Sequence, residues 1–293
     1  MTSELALKTD IKVIGVLGAG TMGHGIAQVA LQSGLQVLLQ DLDEAILKRA
    51  RERIAAGLAK GVRRGKFGED EKAEMLKGLV LTITPLDLSA ADFVIEAVTE
   101  DLAVKRTLFQ HLDRIASPEV ILATNTSSLP ITKIASATSR PSQVIGMHFF
   151  NPVPLMPLVE VIRGLATADA TVMATVRLAE RLGKTPVEVR DSPGFISSRI
   201  LASMVNEACY LLMEGVGTAE AIDTVMKLGA NHPMGPLALG DLIGLDVCLA
   251  VMRTLYEGIG DPKYRPCPLL VQMVDAGYLG RKSGRGFYTY EKG

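Results

Sequence analysis

The stretch "IKVIGVLGAGTMGHGIAQVAL", residues 11–31, constrains this chain more than any other. A β-rich apolar run ends in Gly18, Gly20 and Gly23, spaced as GxGxxG, and helical sequence follows to Ser33. Glycines at those positions permit a tight turn and let backbone N–H groups approach a pyrophosphate, which then rests on the positive end of the helix. A bare GxGxxG carries little weight; the strand before it and the helix after it supply the context. A second β-rich run, "LQVLLQD", ends in Asp41, 21 residues past Gly20. A carboxylate there binds both hydroxyls of an adenosine ribose and repels a 2′-phosphate. The turn therefore predicts NAD as cofactor, with Gly18, Gly20, Thr21, Met22, Gly23 and Asp41 around it.

Short β-rich runs continue to alternate with helical stretches: "LVLTIT" (79–84), "ADFVIEAV" (91–98), "EVILATNTS" (119–127) and "SQVIGMHFF" (142–150). The pattern predicts an α/β Rossmann-type domain, a mostly parallel sheet with crossover helices. Residues 44–78 interrupt it with a charged helical excursion, in which "GLAKGVRRGKFGEDEK" marks the turn of a helical hairpin. Beyond "TPVEVRDSPGF" (185–195) the β-rich runs almost vanish, and helical patterning persists to about Gly277. We place the boundary near Arg190, with a dinucleotide-binding domain over 1–190 and an all-α domain over 191–293. Within "RILASMVNEACYLLMEG" (199–215), the residues Ile200, Leu201, Met204, Val205, Ala208, Cys209, Leu211 and Leu212 make a stripe wider than one core face requires. A subunit interface and a helix buried in its own bundle explain it equally well.

Composition narrows the function classes. With 31 Lys and Arg against 32 Asp and Glu, a net charge of -1 gives no global field to recruit nucleic acid or a membrane surface. Three separated cysteines, Cys209, Cys248 and Cys267, suit a reducing compartment and offer neither a disulfide framework nor a zinc site. His24, His111 and His232 lack metal-ligand spacing, so no metal is expected. "MTSELALKTD" has no signal or transit features, and the apolar span 234–252 is broken by Asp241, Asp246 and glycines, so a cytoplasmic location without membrane association is expected.

Chemistry concentrates in "VIGMHFFNPVPLMPLVEVI" (144–162). If its two apolar runs fold back about Pro154, His148 and Glu160 are each six residues from the turn and face each other across the pair. Opposed Cβ atoms on antiparallel strands stand ~5 Å apart, within hydrogen-bonding reach for an imidazole and a carboxylate. The acid fixes the tautomer of the ring, as needed of a base that removes a hydroxyl proton while hydride leaves the same carbinol for nicotinamide. "ILATNTSSLPI" places Asn125, Thr126, Ser127 and Ser128 after a strand, at the edge where doubly wound sheets bind ligands. A hydroxyl there can donate to a substrate oxygen, although such turns are also ordinary turn chemistry.

Together "GAGTMGHGIA", "EAVTEDLAVK", "TNTSSLPIT", "HFFNPVPLMPLVEV", "DSPGF", "NHPMGP" and "GRKSGRGFY" resemble the short-chain L-3-hydroxyacyl-CoA dehydrogenase family, in particular its bacterial 3-hydroxybutyryl-CoA branch. The similarity runs in order over essentially the whole chain. It implies NAD-dependent interconversion of an L-3-hydroxyacyl-CoA and a 3-ketoacyl-CoA, in a homodimer whose helical domains pair. By resemblance His148 is the general base, Glu160 its orienting acid and Ser127 a donor to the substrate oxygen, with Asn151 in the same pocket. Glu100 and Lys105 match nicotinamide-side contacts, with Asn125 grouped beside them at the cofactor, Lys282 matches a residue that reaches the cofactor, and the helical hairpin matches the region that covers the CoA moiety, with Arg64 the preferred phosphate contact and a solvated helix face an equal alternative. One position departs: "DSPGFISSR" carries Ser198 where a substrate-binding Asn is usual, and serine lacks the amide carbonyl. The competing readings are a dehydrogenase of a free hydroxy acid, of the gulonate-oxidising kind, and a non-catalytic NAD-binding protein.

Overall fold

A computed structural model describes residues 7, 8 and 10–291; the N-terminal reading above falls partly on residues 1–6 and 9, outside the described residues. The chain forms two compact units, Met1–Asp191 and Ser192–Gly293.

The first unit is built on β1 (Val13–Leu17), β2 (Gln36–Gln40), β3 (Leu79–Thr82), β4 (Phe93–Glu96), β5 (Ile121–Thr124), β6 (Val144–Phe149), β7 (Leu158–Arg163) and β8 (Thr185–Arg190). Among the described residues these make one sheet in the order β3-β2-β1-β4-β5-β6-β7-β8. Pairing is parallel except between β6 and β7. The expected mostly parallel α/β sheet is present. Interior strands β4 and β5 are buried along their whole length, which is why they read as unbroken apolar runs rather than as alternation.

Helices α1 (Thr21–Gln32), α2 (Glu44–Arg63), α3 (Glu69–Lys77), α4 (Leu102–Ile115), α5 (Ile131–Ala135) and α6 (Asp169–Arg181) belong to the same unit. The helical excursion is α2 and α3. Asp43 caps α2 by accepting from Ala45 N at 2.7 Å, and the turn closes where the Phe67 ring fills the space beside Gly61. The run "LVLTIT" is shorter than expected, because the strand stops at Thr82, whose hydroxyl donates to Asp87 and starts a 3-10 turn at Pro85.

The second unit holds α7 (Ser197–Met213), α8 (Ala219–Gly229), α9 (Pro236–Ile243), α10 (Leu245–Ile259) and α11 (Pro268–Asp275). Val205, Cys209, Leu237, Leu245, Leu249, Cys267 and Leu270 form its core. The wide stripe on α7 divides: Val205, Ala208 and Cys209 are buried, Leu201, Met204, Leu211 and Leu212 half-buried, and Ile200 is exposed. All three cysteines are buried free thiols, and burial pushes Cys248 up to about 12, so they pack as apolar groups and are not nucleophiles. The closing "GRKSGRGFY" has a structural reason. Buried Asp241 accepts from Phe287 N, Tyr288 N and Tyr290 Oη, and a Cβ on Gly286 would fall 1.9 Å from its Oδ1. Buried Asp223 accepts from Leu237 N and Ala238 N at the start of α9, and from Tyr288 Oη.

Candidate active site

The glycine turn has the shape its spacing predicts. Gly18 lies at φ +97°, a conformation that side chains resist, and an added Cβ there would stand 2.8 Å from Ala97 O. A Cβ on Gly23 would sit 1.7 Å from Gly18 O, so this position admits hydrogen alone. Gly20 caps α1 without a side-chain acceptor, meets nothing within 4 Å, and no acidic residue occupies the first turn. The backbone donors at this helix start thus have no side-chain cap, as a pyrophosphate site requires. Thr21 beside them is exposed and Met22 half-buried. Asp41 follows β2 and reaches the turn itself: its Oδ2 accepts from Ala19 N at 2.8 Å and its Oδ1 from Leu42 N at 2.8 Å. These residues fit a dinucleotide.

The same edge of the sheet carries the imidazole and the acid. In the antiparallel β6–β7 pair His148 stands opposite Glu160 in register. Nδ1 of His148 donates to Glu160 Oε2 at 2.8 Å; both residues are almost fully buried, at 7% and 2% exposure. With Nδ1 holding that bond, the neutral ring carries its lone pair on Nε2, the atom that takes up a proton. The Phe150 ring leans on the imidazole, with centroids 4.5 Å apart, and Asn125 Oδ1 accepts from Phe149 N at 2.8 Å, tying the end of β5 to the backbone next to His148. Asn151 follows on an exposed turn, joined to Pro152 by a cis peptide. Val153 packs against the bare face of Gly25 on α1, so this turn and the cofactor helix share a contact. Lys184 holds the turn from the other side, its Nζ donating to Val153 O and Met156 O at 2.5 and 2.9 Å. Burial pulls the Lys184 ammonium below the ordinary lysine range.

Ser127 lies in a turn organised by Glu100. One oxygen, Glu100 Oε1, accepts from Thr126 Oγ1 (2.6 Å), Ser127 N (2.9 Å) and Ser128 N (3.1 Å), with the hydroxyls of Ser127 and Ser128 at 3.2 and 3.3 Å. Lys105, which the resemblance matches to a cofactor contact, is held by two carboxylates. It is fully buried, 2.6 Å from Glu96 Oε1 and 3.7 Å from Glu100 Oε2. The reason is helical phase: α4 begins at Leu102, which puts Lys105 on the inward face with Phe109 and Leu112. Sequence reasoning missed Glu96 and Lys184. The one signal for Glu96 was a carboxylate closing the otherwise apolar run "FVIE".

Of the other expected residues, Arg64 sits exposed at the end of α2. In the second unit, Ser198 is half-buried in the first turn of α7, and exposed Lys282 pairs with Asp246 at 2.5 Å. His24 is engaged locally, Nδ1 donating to Gly20 O at 2.7 Å. Among the described residues no three His, Cys, Asp or Glu side chains are grouped to hold a metal. No helix among them is long and apolar enough to cross a membrane.

Residues 13–192 match the model of the 3-hydroxyacyl-CoA dehydrogenase NAD binding domain, and residues 194–290 that of the C-terminal domain. The chain belongs to the 3-hydroxyacyl-CoA dehydrogenase family. Its N-terminal unit is thus an NAD-binding domain, in agreement with the glycine turn and Asp41. Similar proteins are consistent with this membership. A probable 3-hydroxybutyryl-CoA dehydrogenase of Bacillus subtilis is 54% identical, over 97% of this chain and 99% of that protein. The mitochondrial hydroxyacyl-coenzyme A dehydrogenase of Homo sapiens is 43% identical, over 99% and 94%. The crystal structure of (S)-3-hydroxybutyryl-CoA dehydrogenase from Ralstonia eutropha superimposes with a TM-score of 0.94 at 50% identity, covering 97% of this chain and all of that one.

Proposed function

We propose that this family member catalyses the NAD-dependent interconversion of an L-3-hydroxyacyl-CoA, 3-hydroxybutyryl-CoA foremost, and the 3-ketoacyl-CoA. The observation that carries the reading is the buried His148–Glu160 pair at 2.8 Å, on the sheet edge that also bears the glycine turn. Relatives named 3-hydroxybutyryl-CoA dehydrogenase at 50–54% identity support the substrate. NAD, when bound, supplies the hydride acceptor. His148 Nε2 takes the proton of the 3-hydroxyl as hydride leaves the same carbon, and in reverse the imidazolium returns it to the ketone oxygen. Glu160 keeps the ring in the tautomer that does this and offsets the positive charge it gains. Ser127 Oγ turns from Glu100 to donate to the substrate oxygen, while the backbone donors of residues 127 and 128 stay on the carboxylate. Glu100 and Asn125 form the cofactor side of this turn, with Lys105 acting through Glu100; Asn151 lines the substrate side, and Lys282 makes a further cofactor contact. Arg64 gives the CoA phosphates a cation.

Ser198 takes the place of the usual Asn in substrate binding, with one hydroxyl instead of an amide. Restoring the amide by Ser198→Asn is expected to raise kcat/KM for acetoacetyl-CoA reduction about fivefold to a hundredfold, the scale of one buried hydrogen bond. NADH oxidation read at 340 nm tests both points: no acetoacetyl-CoA-dependent turnover in either form would defeat the assignment.

We further infer a homodimer in the cytoplasm. Apolar side chains of the second unit are left exposed, Ile200 at 62%, Val216 at 68%, Val225 at 65% and Leu228 at 82%, a share that pairing would cover. Sedimentation equilibrium at micromolar concentration is expected to return twice the 31.3 kDa chain mass; a monomer would contradict it.

A further inference from the structure

Glu96 ends β4 beside Leu17, the last residue of β1 and the neighbour of Gly18. The chain order reverses here, because β2 and β3 extend the sheet on one side of β1, and β4 begins the other. Dinucleotides lie across such a switch point. With the adenosine ribose on the Asp41 side, the nicotinamide end falls toward β4 and β5. Glu96 is wholly buried and satisfied on both oxygens: Oε1 accepts from Lys105 Nζ at 2.6 Å and Val98 N at 2.7 Å, and Oε2 from Thr124 Oγ1 at 2.7 Å. Lys105 is the one cation between two carboxylates, tight to Glu96 and loose to Glu100 at 3.7 Å. Counting Glu96 and Glu100 as negative and Lys105 as positive, this triad carries one net negative charge.

We propose that Glu96 is a positioning residue that sets the redox preference of cofactor binding: by holding Lys105 at 2.6 Å, with only a looser 3.7 Å pairing left to Glu100, it leaves the Glu100 charge partly offset, so the crevice favours the positively charged oxidised nicotinamide over the neutral reduced one. The inference rests on the function proposed above and adds to it a residue that never touches the ligand. A hydrophobic residue at position 96 would close the strand as well; a buried Glu–Lys pair next to a second carboxylate is what a charge-setting device requires. The same arrangement keeps Lys105 from drawing Glu100 off the Ser127 turn.

The test is the dissociation constants of NAD+ and NADH, measured by calorimetry on the purified protein without substrate. Glu96→Gln preserves shape and keeps an acceptor for Val98 N and Lys105, and lets Lys105 neutralise Glu100. A change of one unit of charge near a cationic ring, screened as is usual near a protein surface, acts on the scale of about fivefold. NAD+ should therefore weaken about fivefold relative to NADH. Glu100→Gln removes the same charge from a side chain that is 37% exposed, so it keeps the test available should the buried substitution not fold, and it should move the ratio the same way. The double variant Glu96→Gln with Lys105→Met restores one net negative charge and should return the ratio to within about twofold of the original. A ratio unmoved in Glu96→Gln, an equal loss of both cofactors, or a double variant that fails to recover would overturn the proposal. If the unaltered protein bound neither cofactor, the functional reading itself would fall, which separates the two failures.

Discussion

His148→Gln will lower turnover of acetoacetyl-CoA about a thousandfold or more while leaving the NADH dissociation constant within about twofold. A positioned general acid–base group contributes on the order of 10²–10⁴ in rate, and in this chain one ring is asked to supply it. Glutamine retains a donor and an acceptor of similar reach, so the pocket stays filled and Glu160 keeps a partner; what is lost is a group able to take and return a proton at neutral pH. The cofactor turn lies on β1 and α1, and its donors do not involve β6. Turnover by absorbance and NADH binding by fluorescence, on the same preparation, check the two halves. Substantial residual turnover would remove His148 from its role, and a parallel loss of NADH binding would recast it as structural.

Gly23→Ala should abolish tight cofactor binding for a steric reason. The new methyl would arrive 1.7 Å from Gly18 O, and neither the turn nor the buried Gly23 backbone can yield without shifting the backbone donors. Overpacking of this kind costs about 1–3 kcal/mol, enough for roughly a tenfold to hundredfold weaker NADH binding if it falls on the turn. The comparison is Gly20→Ala, where an added Cβ meets nothing within 4 Å. Thermal melts should therefore separate the two, with Gly23→Ala lowering the midpoint by several degrees and Gly20→Ala leaving it nearly unchanged. Equal melting points together with unaltered NADH affinity in Gly23→Ala would mean that the turn is more pliant than its packing implies.

These residues also show what a sequence makes legible. The facing of His148 and Glu160 follows from alternation on two apolar runs and equal distances from Pro154, and the β6–β7 register realises it. Gly18, Gly23 and Asp41 were readable because each answers a local demand: a positive φ, a close approach and a strand end. The burial of Lys105 is not legible in the sequence because it depends on where α4 starts, a matter of the Asp101 cap accepting from Val104 N at 2.9 Å, and a shift of one residue turns the side chain by ~100°. The roles of Glu96 and Lys184 were invisible because their partners come from other strands and turns: Thr124 for the first, Val153 and Met156 for the second. Asp223 and Asp241 look like surface acids on helices; the start of α9 and Tyr288 engage the first, and the return of the C-terminal segment, with Tyr290, engages the second.

The central claim is that Glu160 acts on the reaction through His148 alone. A double-mutant cycle on kcat, with His148→Gln, Glu160→Gln and both together, measures it directly. If the carboxylate works only by steadying the imidazole, Glu160→Gln costs about tenfold to a hundredfold in the native background and nothing further once His148 is gone. Independent, multiplying losses would contradict the account.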